Sequence, residues 1–125
     1  MMKEISPQMQ NQIAQYQQLQ QQLQVLGTQR MQLEAKVREI DGSLQELAKI
    51  GAETPVYKSI GTLLVRADDR ESVKKELEEH KETLSIRVRA IQKQETALGE
   101  RYEQLQQKLS EALGGGTASE EEKET

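Results

Sequence analysis

Pro55-Val56-Tyr57-Lys58-Ser59-Ile60-Gly61-Thr62-Leu63-Leu64-Val65-Arg66-Ala67 is the stretch that decides the fold. Val56, Tyr57 and Ile60 come before Gly61, and Leu63-Leu64-Val65 come after it. β-Branched, aromatic and aliphatic residues on both sides of a glycine predict two short strands around a tight turn, over 55–67. No other stretch of the chain reads as strand. A lone two-stranded hairpin is marginal in water, and its two edges carry unpaired backbone groups that invite another chain. Side chains alternate between the faces of a strand, so the apolar run Leu63 to Val65 puts apolar groups on both faces. The chain has no second sheet to cover them. Cover from other subunits is therefore expected, with Val56, Tyr57, Ile60, Leu63, Leu64 and Val65 carrying assembly. The competing expectation is that at least one of these six packs on the chain's own helix ends.

Outward from the hairpin, both flanks read as helix. Ser6-Pro7 predicts a start, with Ser6 as N-cap and Pro7 in the first turn. The pattern runs without proline to Gly51, which suits a C-terminal cap, so the first helix spans 6–51. Its apolar residues recur in alternating steps of three and four: Met2, Ile5, Met9, Tyr16, Leu19, Leu23, Leu26, Leu33, Val37, Ile40, Leu44 and Leu47. Only Gln12 and Arg30 interrupt that seam. A seam kept over so many heptads signals a coiled coil rather than a globular amphipathic helix. Much of the remaining surface is glutamine, as in Gln20-Gln21-Gln22; a neutral face built from a good helix former explains it. Gly27 lies inside the helix, where it marks either a bend or a close contact.

The second helix is predicted over 68–113. Asp68 is its expected N-cap, with Glu71 three residues on as in a capping box. The seam reads Leu77, Lys81, Leu84, Val88, Ile91, Glu95, Leu98, Tyr102, Leu105, Leu109 and Ala112. Val73 is one position off it and is expected to pack where the helix meets the hairpin. A turn-back at the hairpin pairs the helices antiparallel, matching Leu47 with Val73 and Met9 with Leu109. The fold class that follows is mostly α: a long antiparallel two-helix coiled coil joined by one β-hairpin. One domain covers 1–113. Gly114-Gly115-Gly116 is expected to end the helix, leaving 114–125 as a flexible acidic tail.

Composition agrees. Aromatic residues make up 2% of the 125, apolar residues 34% and charged residues 30%. That is poor material for a globular core and ordinary for a coiled coil. A net charge of −4 argues against a nucleic-acid partner, which needs a basic patch for phosphates. No stretch approaches the roughly 18 apolar residues of a membrane span, and no apolar run of signal-peptide length opens the chain. The absence of cysteine removes disulfides and thiolate metal sites, and an intracellular location fits it.

No catalytic constellation is present. His80 is the only histidine and sits among Glu78, Glu79, Lys81 and Glu82, as a solvated surface residue would. Without a second histidine or a cysteine, no metal site is expected. The glutamates of 78–79 and 120–122 read as solvated charge, since acid–base work needs a pocket that shifts pKa values. Ser59 lacks a G-x-S-x-G context and a histidine partner. Gly114-Gly115-Gly116-Thr117 lacks the lysine and preceding strand of a phosphate loop. No enzyme and no cofactor are expected; the chain reads as a binding or structural protein.

The motif Val-Tyr-Lys-x-x-Gly-x-x-Leu, carried by Val56-Tyr57-Lys58-Ser59-Ile60-Gly61 with Leu63-Leu64-Val65-Arg66, resembles the β-type subunit of prefoldin. The Gln-rich stretch Gln15 to Gln22 is also similar to that family. So is Arg-x-x-x-Ile-x-x-Gln-Glu, here Arg87 to Glu95. The likeness spans Ser6 to about Leu113, and the single hairpin marks the β-type rather than the α-type class; the acidic tail lies outside it. The resemblance implies a hetero-hexamer of two α-type and four β-type subunits, with hairpins joined into β-barrels. It further implies an ATP-independent cytoplasmic holdase that binds unfolded or nascent protein at its coiled-coil tips and delivers it to a group II chaperonin. The tips would then be Met2, Ile5, Met9 and Ile13 from the first helix, and Leu109, Ala112 and Leu113 from the second. Flexible methionine side chains suit varied clients. For Met9 and Leu109, ordinary packing of the last heptad is an equal alternative. The competing function is a structural coiled-coil tether or scaffold without client binding, which leaves the consecutive apolar strand unexplained.

Overall fold

The computed structural model describes residues 5–124, with side chains through residue 114. Helix α1 spans Pro7–Lys49, strands β1 and β2 span Val56–Ile60 and Leu63–Ala67, and helix α2 spans Arg70–Glu124. The order is the one expected from the sequence. The chain divides into two compact units: Arg30–Ala90, which holds the hairpin, and Met1–Gln29 with Ile91–Thr125.

Away from its ends, where Ile5 and Ala112 are exposed, the seam is borne out. From Met9 to Leu47 every expected α1 position is buried or half-buried, and so is every α2 position from Leu77 to Leu109. Leu19, Leu33, Ile40, Leu84, Val88 and Leu109 form the most buried set. The deepest burial follows the three–four spacing, while off the seam Val25, Met31 and Ile86 are exposed and Ile13 is half-buried. In the Met1–Gln29 unit, the rings of Tyr16 and Tyr102 stack with centroids 4.6 Å apart. That contact fixes the register: one heptad toward the N-terminus of α1 and one toward the C-terminus of α2 brings Met9 level with Leu109, as expected.

The polar interruptions of the seam are accommodated by ions. Arg30 bonds Glu34 at 2.9 Å along α1, and Lys81 crosses to Asp41 at 2.6 Å in the Arg30–Ala90 unit. These pairs are partly exposed, so each contributes at most about 1 kcal/mol. Gly27 is not a point of close helix contact. A Cβ built there meets Glu95 Oε2 at 3.8 Å, an ordinary van der Waals distance.

Helix ends depart from expectation in three places. At the start of α1, the Met9 amide donates to Ser6 Oγ at 3.0 Å, as expected of a cap. At the start of α2, however, the cap is Asp69 and not Asp68: the Glu71 amide donates to Asp69 Oδ1 at 3.1 Å. The hairpin register decides this, because the strand runs on to Ala67 and leaves Asp69 as the last non-helical residue. At the end of α1, Gly51 does not act as a left-handed cap, because Gly61 is the only glycine at positive φ among the described residues. Finally, α2 does not stop at the glycine triplet 114–116 but continues to Glu124. Glycine costs about 1 kcal/mol in a helix interior, yet it ends a helix only by turning to positive φ, and no proline follows to forbid continuation.

The seam gives two opposite predictions. Leu84, 5% exposed, truncated to alanine should cost about 2–5 kcal/mol of unfolding free energy. Gly27→Ala should instead raise stability by up to about 1 kcal/mol. Both are read from urea unfolding followed by far-UV circular dichroism.

Candidate functional site

The hairpin is built from its turn. Gly61 has φ +58° and Thr62 has a negative φ, the pattern of a type II′ turn with glycine first, which matches the twist of the flanking strands. The register follows: Val56 faces Ala67, Tyr57 faces Arg66, Lys58 faces Val65, Ser59 faces Leu64 and Ile60 faces Leu63. Directly opposed residues share a face of a sheet. One face therefore carries Val56, Lys58, Ile60, Leu63, Val65 and Ala67. The other carries Tyr57, Ser59, Leu64 and Arg66.

The two faces have different surroundings. On the first, Val56, Lys58 and Ala67 are half-buried, and Lys58 Nζ lies 2.7 Å from Glu76 Oε2 on α2. Val56 and Tyr57 border an open groove of about 1060 Å³ whose other walls include Leu47, Ile50, Val73 and Leu77. Val73 thus lies where the helix meets the hairpin, as its off-seam position suggests. Further along the same face, Ile60, Leu63 and Val65 are exposed. On the second face all four residues are exposed; Leu64 is 75% accessible and Leu63, its neighbour on the other face, 65%. Of the six expected assembly residues, only Val56 finds cover within its own chain.

The expected tip residues are not equivalent. Ile5, Ala112 and Leu113 are exposed. Met9 and Ile13 are half-buried, so Ile13 packs despite lying off the seam. Leu109 is 7% exposed and belongs to the seam. Met2 lies outside the described residues. Met9, Ile13 and Leu109 thus become available only where the helices part.

Two contacts go beyond the expectations from the sequence. The hydroxyls of Tyr16 and Tyr102 lie 2.7 Å apart, one donating to the other across the seam. That bond, helped by loss of solvent and by the second phenol's charge, raises the Tyr16 phenol above its ordinary value. Separately, the Arg70 guanidinium donates to three carbonyls of the linker between α1 and β1: Ile50 at 3.2 Å, Gly51, and Thr54 at 3.3 Å. Among the described residues, no group of three or more His, Asp or Glu side chains could hold a metal, and no helix is long and apolar enough to cross a membrane. His80 is exposed.

Known proteins share this arrangement. A family model described as Prefoldin subunit matches residues 10–116. The chain is 52% identical over 112 residues to prefoldin subunit beta of Archaeoglobus fulgidus, covering 90% of this chain and 96% of that one. It is 45% identical over 114 residues to prefoldin subunit beta of Methanosarcina acetivorans, covering 91% and 97%. The crystal structure of the prefoldin beta subunit from Thermococcus strain KS-1 superposes with a TM-score of 0.80 at 33% identity, covering 90% of this chain and 97% of that one.

The tyrosine pair predicts an alkaline weakness. A raised folded-state pKa means that the folded chain holds the phenol proton more tightly than the unfolded chain. Its stabilisation is intact below the unfolded value near pH 10 and is lost as pH rises through the folded value. The thermal midpoint should fall from about pH 10 upward, and fall less steeply in Tyr16→Phe; the difference between the two melting series isolates this pair.

Proposed function

The chain belongs to the prefoldin family as a β-type subunit, and on that premise we propose that it is the repeating arm of an ATP-independent cytoplasmic holdase. Prefoldins are chaperones, and their beta subunits form hetero-oligomers with other prefoldin subunits. The observation that carries the proposal is the uncovered hairpin. Leu63, Leu64, Val65, Ile60 and Tyr57 are exposed on both faces of a two-stranded sheet whose outer edges are unpaired. Apolar area of this kind gains about 25 cal/mol per Å² when covered, and free strand edges gain by pairing. Strands from α-type subunits and from further β-type copies supply both, in a hexamer of two α and four β with β-barrel joints.

Clients are bound elsewhere on the chain, at the tips. Ile5, Ala112 and Leu113 are accessible there, and Met9, Ile13 and Leu109 lie behind them in the seam. Helix ends fray, and parting of the last heptad adds the second group to the first. An unfolded client offers apolar surface, and the tips hold it until transfer to a group II chaperonin. No bond is made or broken in this cycle, so the chain needs no cofactor for it.

Two experiments test the two halves separately. Leu64→Asp combined with Val65→Asp should release the subunit from its α-type partner, seen as a fall in sedimentation coefficient; an unchanged hexamer refutes the assembly role. Removal of residues 1–10 and 110–125 should abolish suppression of client aggregation while the hexamer persists. Full suppression by the trimmed hexamer would leave the chain as a scaffold without tip binding.

A further inference from the structure

We propose that Arg70 is the residue that positions the hairpin for assembly, by pinning the chain segment that leads into β1 to the residue that follows β2. The inference rests on the hairpin being the assembly surface.

The last carbonyls of any α-helix lack intrahelical partners. The usual remedy is a glycine turned to positive φ just past the end, and Gly51 stands in place for it. Gly51 does not take that conformation. The last backbone bond of α1 is Ile50 N–H to Glu46 O at 3.2 Å, and the linker then holds itself only by the Thr54 amide donating to Gly51 O at 3.1 Å. Three further contacts come from one side chain 16 to 20 residues away: Arg70 Nη1 donates to Ile50 O, and Nη2 to Gly51 O and Thr54 O, all in the linker just beyond α1. A planar guanidinium presents several donors in a fixed fork, which an ammonium does not. Its charge also lies at the carbonyl end of α1, where a cation is favoured by the helix dipole.

The location matters more than the number of bonds. Arg70 is the first residue of α2 and half-buried. Its three acceptors lie between the end of α1 and the start of β1, so both strands of the hairpin are fastened at their base to one point. The Lys58–Glu76 pair, at 2.7 Å, fastens β1 a second time to α2, but it is more exposed and holds a single contact. With Arg70 in place the strands reach a partner already oriented. Without it the partner must order the linker on binding, which weakens association without any loss of interface contact.

The test compares Arg70→Met and Arg70→Lys in the full chain, titrated with the α-type subunit and followed by sedimentation. Helix melting of each variant alone is measured in parallel. Arg70→Met should weaken assembly about tenfold or more, as loss of several bonds to one charged group implies, while the helix melting curve stays close to that of the parent chain. Arg70→Lys should recover part of the loss. Wild-type assembly by Arg70→Met, when Leu64→Asp with Val65→Asp abolishes it, overturns the role of Arg70 and leaves the hairpin surface standing. Wild-type assembly by both overturns the hairpin reading and this inference with it. A loss of helix melting in Arg70→Met that matches the loss of assembly would make Arg70 a structural cap only, and would also overturn the inference.

Discussion

Everything in this chain depends on one constraint: apolar side chains placed at alternating steps of three and four along two helices joined by a tight hairpin. With no Phe, no Trp and 34% apolar residues, there is no material for a globular core. Most of what the helices have lies on one stripe of each, with Val25, Met31 and Ile86 left exposed off it. Leu19, Leu33 and Ile40 on α1 and Leu84, Val88 and Leu109 on α2 take the deepest places in it. Because the helices are antiparallel, each turn of α1 meets one turn of α2, as the Tyr16–Tyr102 stack shows within its own unit. A one-residue shift in the turn would move the whole of one seam by about 100° around its helix. Within the Arg30–Ala90 unit the hairpin is therefore a register device for the helices it joins as well as a surface in its own right.

That surface is the price of the design. A strand joined to only one neighbour leaves backbone groups open on its outer side, and β1 and β2 each have only the other. Natural edges are blunted by charge, proline or bulges. Here Arg66 and Lys58 provide charge, but Lys58 is turned to Glu76, and Leu63-Leu64-Val65 is left as an apolar run. Such a run on an unpartnered sheet tends toward aggregation unless a defined partner covers it. A family whose beta subunits live in hetero-oligomers resolves this conflict, and the conflict itself was readable from thirteen residues.

Legibility followed the range of the interaction. The seam and the Ser6 cap are local periodicities or local side chain-to-backbone bonds, and the sequence predicts them residue by residue. The shift of the α2 cap from Asp68 to Asp69 needed the strand register, which adjacent aspartates do not reveal. Gly51 looked like a cap because its neighbours fit one; the linker after α1 is instead held by Arg70, 19 residues on from Gly51, and no local pattern announces it. The hairpin register does contain the information. With Ile60 opposite Leu63 and Val56 opposite Ala67, counting outward sets residue 70 against the linker before β1. The glycine triplet misled for a different reason: glycine permits a helix to end but does not require it to. At the tips, the heptad pattern could not say whether Met9 and Leu109 face each other or a client.

The tip geometry bears on how a holdase of this kind must bind. Leu109 and the half-buried Met9 and Ile13 already have apolar neighbours in the closed coil. A client that parts the helices exchanges one apolar contact for another, so the gain per side chain is far below the 1.5–3 kcal/mol of full burial from water. Only Ile5, Ala112 and Leu113 bring surface that is free from the start. In the proposed function one arm alone is thus a weak binder, whose weakness allows release without ATP. On the same proposal strength comes from several arms engaging one client, where each further contact is intramolecular and raises overall affinity by orders of magnitude. The assembly surface and the binding surface are then coupled through valency and need no structural signal between them. On that proposal, therefore, a hairpin that fails to join its neighbours leaves every tip residue in place and still removes the function.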